Sequence, residues 1–412
     1  MNLLTSKQSI ELDMLAIKKL GSSDNSLMIN AGKAITFKSI SLLKNIKNPS
    51  ILVFAGNGKN GADALIAAKM LHDNMFNIKI FITSSKKKKG VFLKLYKDCI
   101  NKKIKIIKGY KNNGIKFPNL IIDGILGTGF KGQIREEYID LIKWINKSKS
   151  IVLSIDVPSG LNIDSGLVEG FAVRANYTVT IERPKIGMFL TYGKEYSGSI
   201  DIAKVGFPKG IEKVLSGLQW KTFNENLPYK LLKKPKVDIN KYSSGKVLII
   251  AGSRGMTGAS ILATHAALRS GAGMTISVVP SSLNSIFEKC ILEGITFPLE
   301  DTSSGYLKIK HFEEIMKKVD WADSVLIGPG LGRNDSTLEL IEKLIFSIKK
   351  PLVLDADGLF PFRDNYIKLN NRKYPLVITP HFGELSIITG IEINKIKSDF
   401  LEIMTNFMRT FN

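Results

Sequence analysis

The sequence predicts an α/β protein of two domains, each built around a parallel, doubly wound sheet. Three observations lead there. Short apolar runs at 51–54, 78–82, 120–122, 151–155 and 177–181 alternate with stretches of helical spacing, the pattern of strands covered on both faces by crossover helices. The alternation starts afresh at Lys246 with KVLIIAG and continues through MTISVV, VLIG, PLVLDADG and LVITPHFGEL. Between the two series lies LSGLQWKTFNENLPYKLLKKPKVDINKYSSG, a polar and basic stretch with two prolines. We therefore expect a first domain at 1–222, a linker at 223–244 holding one short strand, and a second domain at 245–412. A chain of 412 residues is long enough for two cores.

Composition narrows the function classes. The net charge of +22 invites a nucleic-acid reading. Lysine dominates the basic residues and is spread along the chain, and the densest run, 86–89, has no interleaved aromatics. The expectation is a solvated basic surface and no nucleic-acid partner. No apolar run reaches membrane-spanning length, and the acids within MNLLTSKQSIELDMLA argue against a signal peptide. Cys99 and Cys290 are far apart and lack metal spacing. They read as reduced, buried thiols of a cytoplasmic protein.

Residues 6–45 read as helical. The stretch ILVFAGNGKNGADAL, 51–65, then joins a strand to a helix through a glycine-rich turn. In that layout backbone N–H groups at a helix start face an anion, and glycines let a ligand approach. Asn57, Asn60 and Asp63 add polar groups inside the turn. Asp123 ends the strand LIID ahead of GILGTGF, and Asp156 ends IVLSID ahead of Val157-Pro158-Ser159-Gly160. Two acids and an Asn-rich turn at three strand ends predict a ligand site past the carboxyl edge of the sheet. A carboxylate there can exchange protons. Lys185 reads either as a partner in that chemistry or as a solvated surface lysine.

Residues 6–208 resemble the NAD(P)H-hydrate epimerase domain, through LMINAG, GNGKNGADAL, DGILGTGF, SIDVPSGLNIDSG, ANYTVTIERPKIG and IAKVGFP, in that order. The resemblance implies a Rossmann-like domain. It would interconvert the epimers of hydrated NADH or NADPH at the hydroxyl-bearing carbon of the nicotinamide ring. It implies a potassium ion held by Asn60, Asp123 and Ser159, and Asp156, a carboxylate fixed at a strand end by the Pro-Ser-Gly turn, suits the catalytic proton exchange. Substrate contacts would come from Lys59, Asn60, Gly61, Ala62 and Asp63, from Gly127, Thr128, Gly129, Phe130, Lys131, Gly132 and Gln133, and from Asp156. Lys59, Ala62 and Ala64 depart from the usual Asn-Asn-Gly-Gly-Asp-Gly, and the added methyl groups would crowd the ligand.

GSRGMTGAS, ALRSGAGM, IGPGLGR, VLDADGL and TPHFGEL resemble the ADP-dependent NAD(P)H-hydrate dehydratase domain, a ribokinase-like fold. Ala259, Gly332 and His381 would contact the hydrated nucleotide, with ADP or ATP, and Mg2+, as the implied cofactors. Asp355 and Asp357 serve either the ligand or their own loop. The family pattern continues into a Lys-Gly-x-x-Thr motif and a Gly-Thr-Gly-Asp turn that holds phosphates, and this sequence contains neither. The expectation is an incomplete, C-terminally truncated second domain and lost dehydration. The rival readings are a catalytically inactive dinucleotide-binding or interaction remnant and a ribokinase-like small-molecule kinase. The expected partner is the small-molecule substrate, with neither nucleic acid nor membrane, and assembly as a homo-oligomer.

Overall fold

The computed structural model describes the chain except residues 21–23, 85–87, 111–116, 131, 208–209, 211–214, 216, 218–219, 224–236 and 412. It divides into two compact units, Met1–Pro228 and Tyr229–Asn412. Most of the basic connector falls outside the described residues.

In the first unit the strands are β1 (Asn2–Leu3), β2 (Ser50–Ala55), β3 (Asn77–Ile82), β4 (Lys105–Ile107), β5 (Leu120–Gly124), β6 (Ile151–Ile155), β7 (Tyr177–Ile181), β8 (Ser199–Ala203) and β9 (Trp220–Lys221). Seven form one parallel sheet in the order β4-β3-β2-β5-β6-β7-β8, and β1 pairs antiparallel with β9. The helices are α1 (Ser6–Leu20), α2 (Asp24–Leu43), α3 (Lys59–Asp73), α4 (Gly90–Asn101) and α5 (Glu136–Lys147). Alternation along β2 sends Ile51, Val53 and Ala55 to the core beneath α2, α3 and α4, and Leu52 and Phe54 to the core beneath α5. That two-sided burial is why the strand reads as an unbroken apolar run. Gly32 of LMINAG lets α2 and α3 cross closely: a Cβ there would lie 2.3 Å from Ile66 Cγ2.

The second unit holds β10 (Lys246–Ile250), β11 (Met274–Pro280), β12 (Ile295–Leu299), β13 (Ser324–Ile327), β14 (Leu352–Leu354) and β15 (Leu376–Ile378). They form one parallel sheet, β12-β11-β10-β13-β14-β15. Helices Phe312–Trp321 and Asp335–Ser347 cover one face, and Thr257–Arg269 and Asn284–Cys290 pack near β11. Cys99 is buried, but Cys290 is exposed at the end of its helix, contrary to expectation. Among the described residues no helix is long and apolar enough to cross a membrane.

Both sheets contain a point where neighbouring strands are followed by connections running in opposite directions. In the first unit it lies between β2 and β5, in the second between β10 and β13. A crevice opens at the carboxyl ends of such strands. The glycine-rich turns after β2 and β5, and after β10 and β13, stand at these two places.

Candidate active site

The turn after β2 can close only with glycines. A Cβ on Gly61 would meet Gly56 O at 1.7 Å, and one on Gly56 would meet Ile125 O at 2.0 Å. This packing joins the turn to its neighbour after β5, with Gly56 N donating to Gly124 O at 3.0 Å. Gly127 leaves room for the Asn60 amide, which a Cβ would approach to 2.7 Å. Asn60 Nδ2 donates to Leu126 O at 2.8 Å and to Ile155 O at 2.7 Å. Two carbonyls from different strand ends therefore aim at one point.

Asp123 lies beneath them, fully buried. Its Oδ1 accepts from Ser159 Oγ at 2.6 Å and Ile125 N at 3.2 Å, and its Oδ2 from Ser154 Oγ at 2.8 Å and Ser159 N at 3.0 Å. Burial pushes the Asp123 carboxyl above its usual range, while these donors pull it back. Asn60, Asp123 and Ser159 thus converge, and sequence reasoning missed the carbonyls of Leu126 and Ile155 among them. The carboxylate, hydroxyl and carbonyl oxygens gathered here suit a hard cation, with the Asn60 amide presenting its nitrogen to the two carbonyls.

Asp156 follows β6 in a left-handed conformation, φ +64°, uncommon for a residue with a side chain. Its N–H donates to Val179 O at 2.8 Å, and its Oδ1 accepts from Ile181 N at 2.9 Å and Thr180 Oγ1 at 3.3 Å. Lys185 Nζ donates to the same Oδ1 and to Thr180 Oγ1 at 3.2 Å and Ile181 O at 3.3 Å. Lys185 is 1% exposed, so the solvated reading fails. A buried ammonium needs a partner charge and acceptors, and the end of β7 supplies both acceptors.

Asp156 and Lys185 line one cavity with Asp13, Lys59, Asn60, Asp63 and Thr128, under an apolar rim that includes Leu12 and Phe207. An adjoining cleft of about 640 Å³ is lined by Asn57, Gly58, Lys59, Asn60, Gly127, Thr128, Gly129, Phe130, Gln133 and Arg135. Lys59 Nζ meets Asp13 Oδ2 of α1 at 3.4 Å. Burial raises the Asp13 carboxyl above its usual range, against the pull of Lys59. Gly61 and Ala62 line neither space. Ala62 and Ala64 face the core with α2, so their methyl groups do not crowd the cleft. Gly132 is exposed in a left-handed turn, φ +78°, and Lys131 lies outside the described residues.

In the second unit Gly332 (φ +81°) donates its N–H to Asp357 Oδ2 at 3.0 Å, and Arg333 Nε reaches Asp357 Oδ1 at 3.0 Å. With Met256, Tyr306 and Asn334 they line a cleft of about 520 Å³. Ala259 packs against the turn: a Cβ on Gly330 would lie 2.9 Å from its methyl group. His381 stands apart at the end of the edge strand β15. Its Nδ1 accepts from Gly383 N at 3.0 Å and Glu384 N at 3.3 Å, capping the next helix. Asp355 Oδ1 accepts from Thr379 Oγ1 at 2.7 Å, which ties the β14 and β15 ends together. Ala259, Gly332 and His381 therefore do not share one pocket wall.

Residues 24–187 match the family model of the YjeF-related protein N-terminus, and residues 247–412 match that of NAD(P)H-hydrate dehydratase. The bifunctional NAD(P)H-hydrate repair enzyme of Thermofilum pendens is 32% identical over 94% of this chain and 74% of its own length. Those of Moorella thermoacetica and Dictyoglomus turgidum are 31% and 30% identical, over 99% and 100% of this chain and 79% and 80% of theirs. The chain belongs to the bifunctional NAD(P)H-hydrate repair enzyme family. It carries an epimerase domain and a dehydratase domain. The expectations of a truncated, incomplete dehydratase half and of lost dehydration gain no support from the comparisons, in which residues 247–412 match the dehydratase family model.

Proposed function

We propose that the first unit interconverts the R and S epimers of hydrated NADH and NADPH, and that Asp156 exchanges the proton as the C–O bond breaks and re-forms. The observation that carries this reading is the buried Asp156–Lys185 pair at the cleft between the β2 and β5 turns. Lys185 Nζ, the Ile181 N–H and the Thr180 hydroxyl all donate to one carboxylate oxygen, Oδ1, and hold it in place. The nicotinamide end enters the Asp156 cavity, and the rest of the dinucleotide follows the cleft along Gly127, Thr128, Gly129, Phe130 and Gln133.

Asn60, Asp123 and Ser159, with the Leu126 and Ile155 carbonyls, would hold a potassium ion. Turning the Asn60 amide and the Ser159 hydroxyl would present their oxygens. When bound, the ion supplies a fixed positive charge that orders the turns around the substrate.

The second unit takes the S epimer and dehydrates it with ADP or ATP, accompanied by Mg2+. Gly332, with Ala259 packed against its turn, meets the hydrated nucleotide in the cleft it lines, while His381 caps the helix after β15 outside that cleft. Incubating the full chain with R-enriched hydrated NADH tests the first activity: S epimer should appear faster than in a no-protein control, and equal rates would overturn it. Adding ADP or ATP to the S epimer should regenerate NADH. No nucleotide-dependent recovery would overturn the second.

A further inference from the structure

Epimerisation inverts one carbon, so oxygen must leave from one face of the ring and return to the other. Asp156 cannot serve both faces. It is pinned by Ile181 N, Thr180 Oγ1 and Lys185 Nζ. A second proton-exchanging group on another wall of the same cavity would serve the opposite face.

That wall is α1. Ser9, Leu12 and Asp13 of this helix line the cavity that holds Asp156 and Lys185. The helix is fixed at its start. Ser6 donates through its N–H (2.6 Å) and its hydroxyl (2.5 Å) to the two oxygens of Asp164, an acid placed favourably at a helix N-terminus. Leu4 just ahead exchanges backbone bonds with the Lys185 segment: Leu4 N donates to Pro184 O and Ile186 N to Leu4 O, each 2.9 Å. The segment that carries Lys185 therefore also fixes the chain just ahead of the helix that carries Asp13. Asp63 lines the cavity too, but it is buried in the first turn of α3.

We propose that Asp13 is the second acid–base residue of the epimerisation, working on the ring face that Asp156 does not reach. This rests on the epimerase reading given above. In one direction the Asp13 carboxyl gives its proton to the ring hydroxyl. The C–O bond breaks, its electron pair leaves with water, and the lone pair of the adjacent ring nitrogen forms a C=N bond. A solvent water adds to the opposite face, the C=N pair returns to nitrogen, and the Asp156 carboxylate takes the released proton. One water leaves and one enters, and a proton has passed from Asp13 to Asp156. Proton exchange with solvent then returns both carboxyls to their starting states before the next turnover. Burial raises the Asp13 carboxyl in the direction of the protonated form this step needs, against the pull of Lys59 at 3.4 Å.

The test compares full-length wild type, Asp13→Asn, Asp13→Glu and Asp156→Asn. Readouts are kcat and KM for R-to-S conversion of hydrated NADH, with thermal unfolding as the check on folding. Asparagine at 13 should lower kcat roughly 10²-fold or more with KM little changed, and glutamate should restore part of it. Equal kcat for wild type and Asp13→Asn, with Asp156→Asn impaired, would overturn this inference and leave the epimerase reading standing. A loss at Asp13→Asn that glutamate does not relieve, or that appears in KM alone, would make Asp13 structural and also overturn it. A wild type without epimerase activity would overturn both.

Discussion

Replacing Lys185 by methionine removes the ammonium but keeps the chain's length and apolar body. In the wild type the side chain is 2% exposed and that of Asp156 10%, so the pair is shielded from water. The variant leaves Asp156 with the Ile181 N–H at 2.9 Å and the Thr180 hydroxyl at 3.3 Å, but with no opposite charge. Breaking a buried pair from one side costs about 3–5 kcal/mol. The retained donors point to the lower end, about 3 kcal/mol. For a unit of this size that lowers the melting temperature by about 6–12 °C. The double variant Asp156→Asn/Lys185→Met should regain most of the loss, because neither charge remains, giving a coupling of roughly 2 kcal/mol. Scanning calorimetry of wild type, both single variants and the double variant measures it. Single variants that melt within about 1 °C of wild type, or a double variant whose loss equals the sum of the two, would refute the reasoning.

Gly127→Ala should weaken NADPH binding several-fold without unfolding the protein, since its methyl group would press on the Asn60 amide; fluorescence titration checks it. Asp301 is buried and accepts from Ser282 N, Gly305 N and the Ser281 and Ser282 hydroxyls, and its pKa is lowered to about 2 despite the opposing cost of burial. A depressed folded-state pKa gives stability present above the unfolded value and lost as pH falls toward 2, about 2 kcal/mol in all. Asp301→Asn should flatten that part of the second unit's urea-stability profile between pH 4 and 2. Exchanging potassium for a bulky organic cation should slow epimerisation and lower the first unit's melting temperature, and indifference of both would reduce Asn60, Asp123 and Ser159 to turn-forming groups.

The strands of the first unit were legible because its sheet is buried on two faces, which turns residues such as 51–54 and 151–155 into apolar runs; in the second unit the edge strand β15 leaves Val377 exposed. The cleft was legible because its turns need glycine at Gly56 and Gly61 and place Asp123 and Asp156 at strand ends. The burial of Lys185 was not. It depends on two acceptors from the end of β7 and a carboxylate 29 residues away, none of which leaves a local signal. Asp13 was missed for a similar reason: a polar residue on a helix reads as solvent-facing until the helix is seen to cover a cleft. The methyl groups of Ala62 and Ala64 were assigned to the ligand side, although helix phase turns both toward the core. His381 is seen as a helix cap, a role that its Thr-Pro-His setting did not reveal.

The most direct test of the central claim is the rate of R-to-S conversion by Asp156→Asn beside wild type, with folding verified by an unchanged circular dichroism spectrum. Asparagine keeps the shape and can still accept from Ile181 N–H, but it cannot exchange a proton. The account predicts a fall of roughly 10²–10⁴-fold in a folded protein. Conversion at the wild-type rate would remove Asp156 from the chemistry and contradict the account.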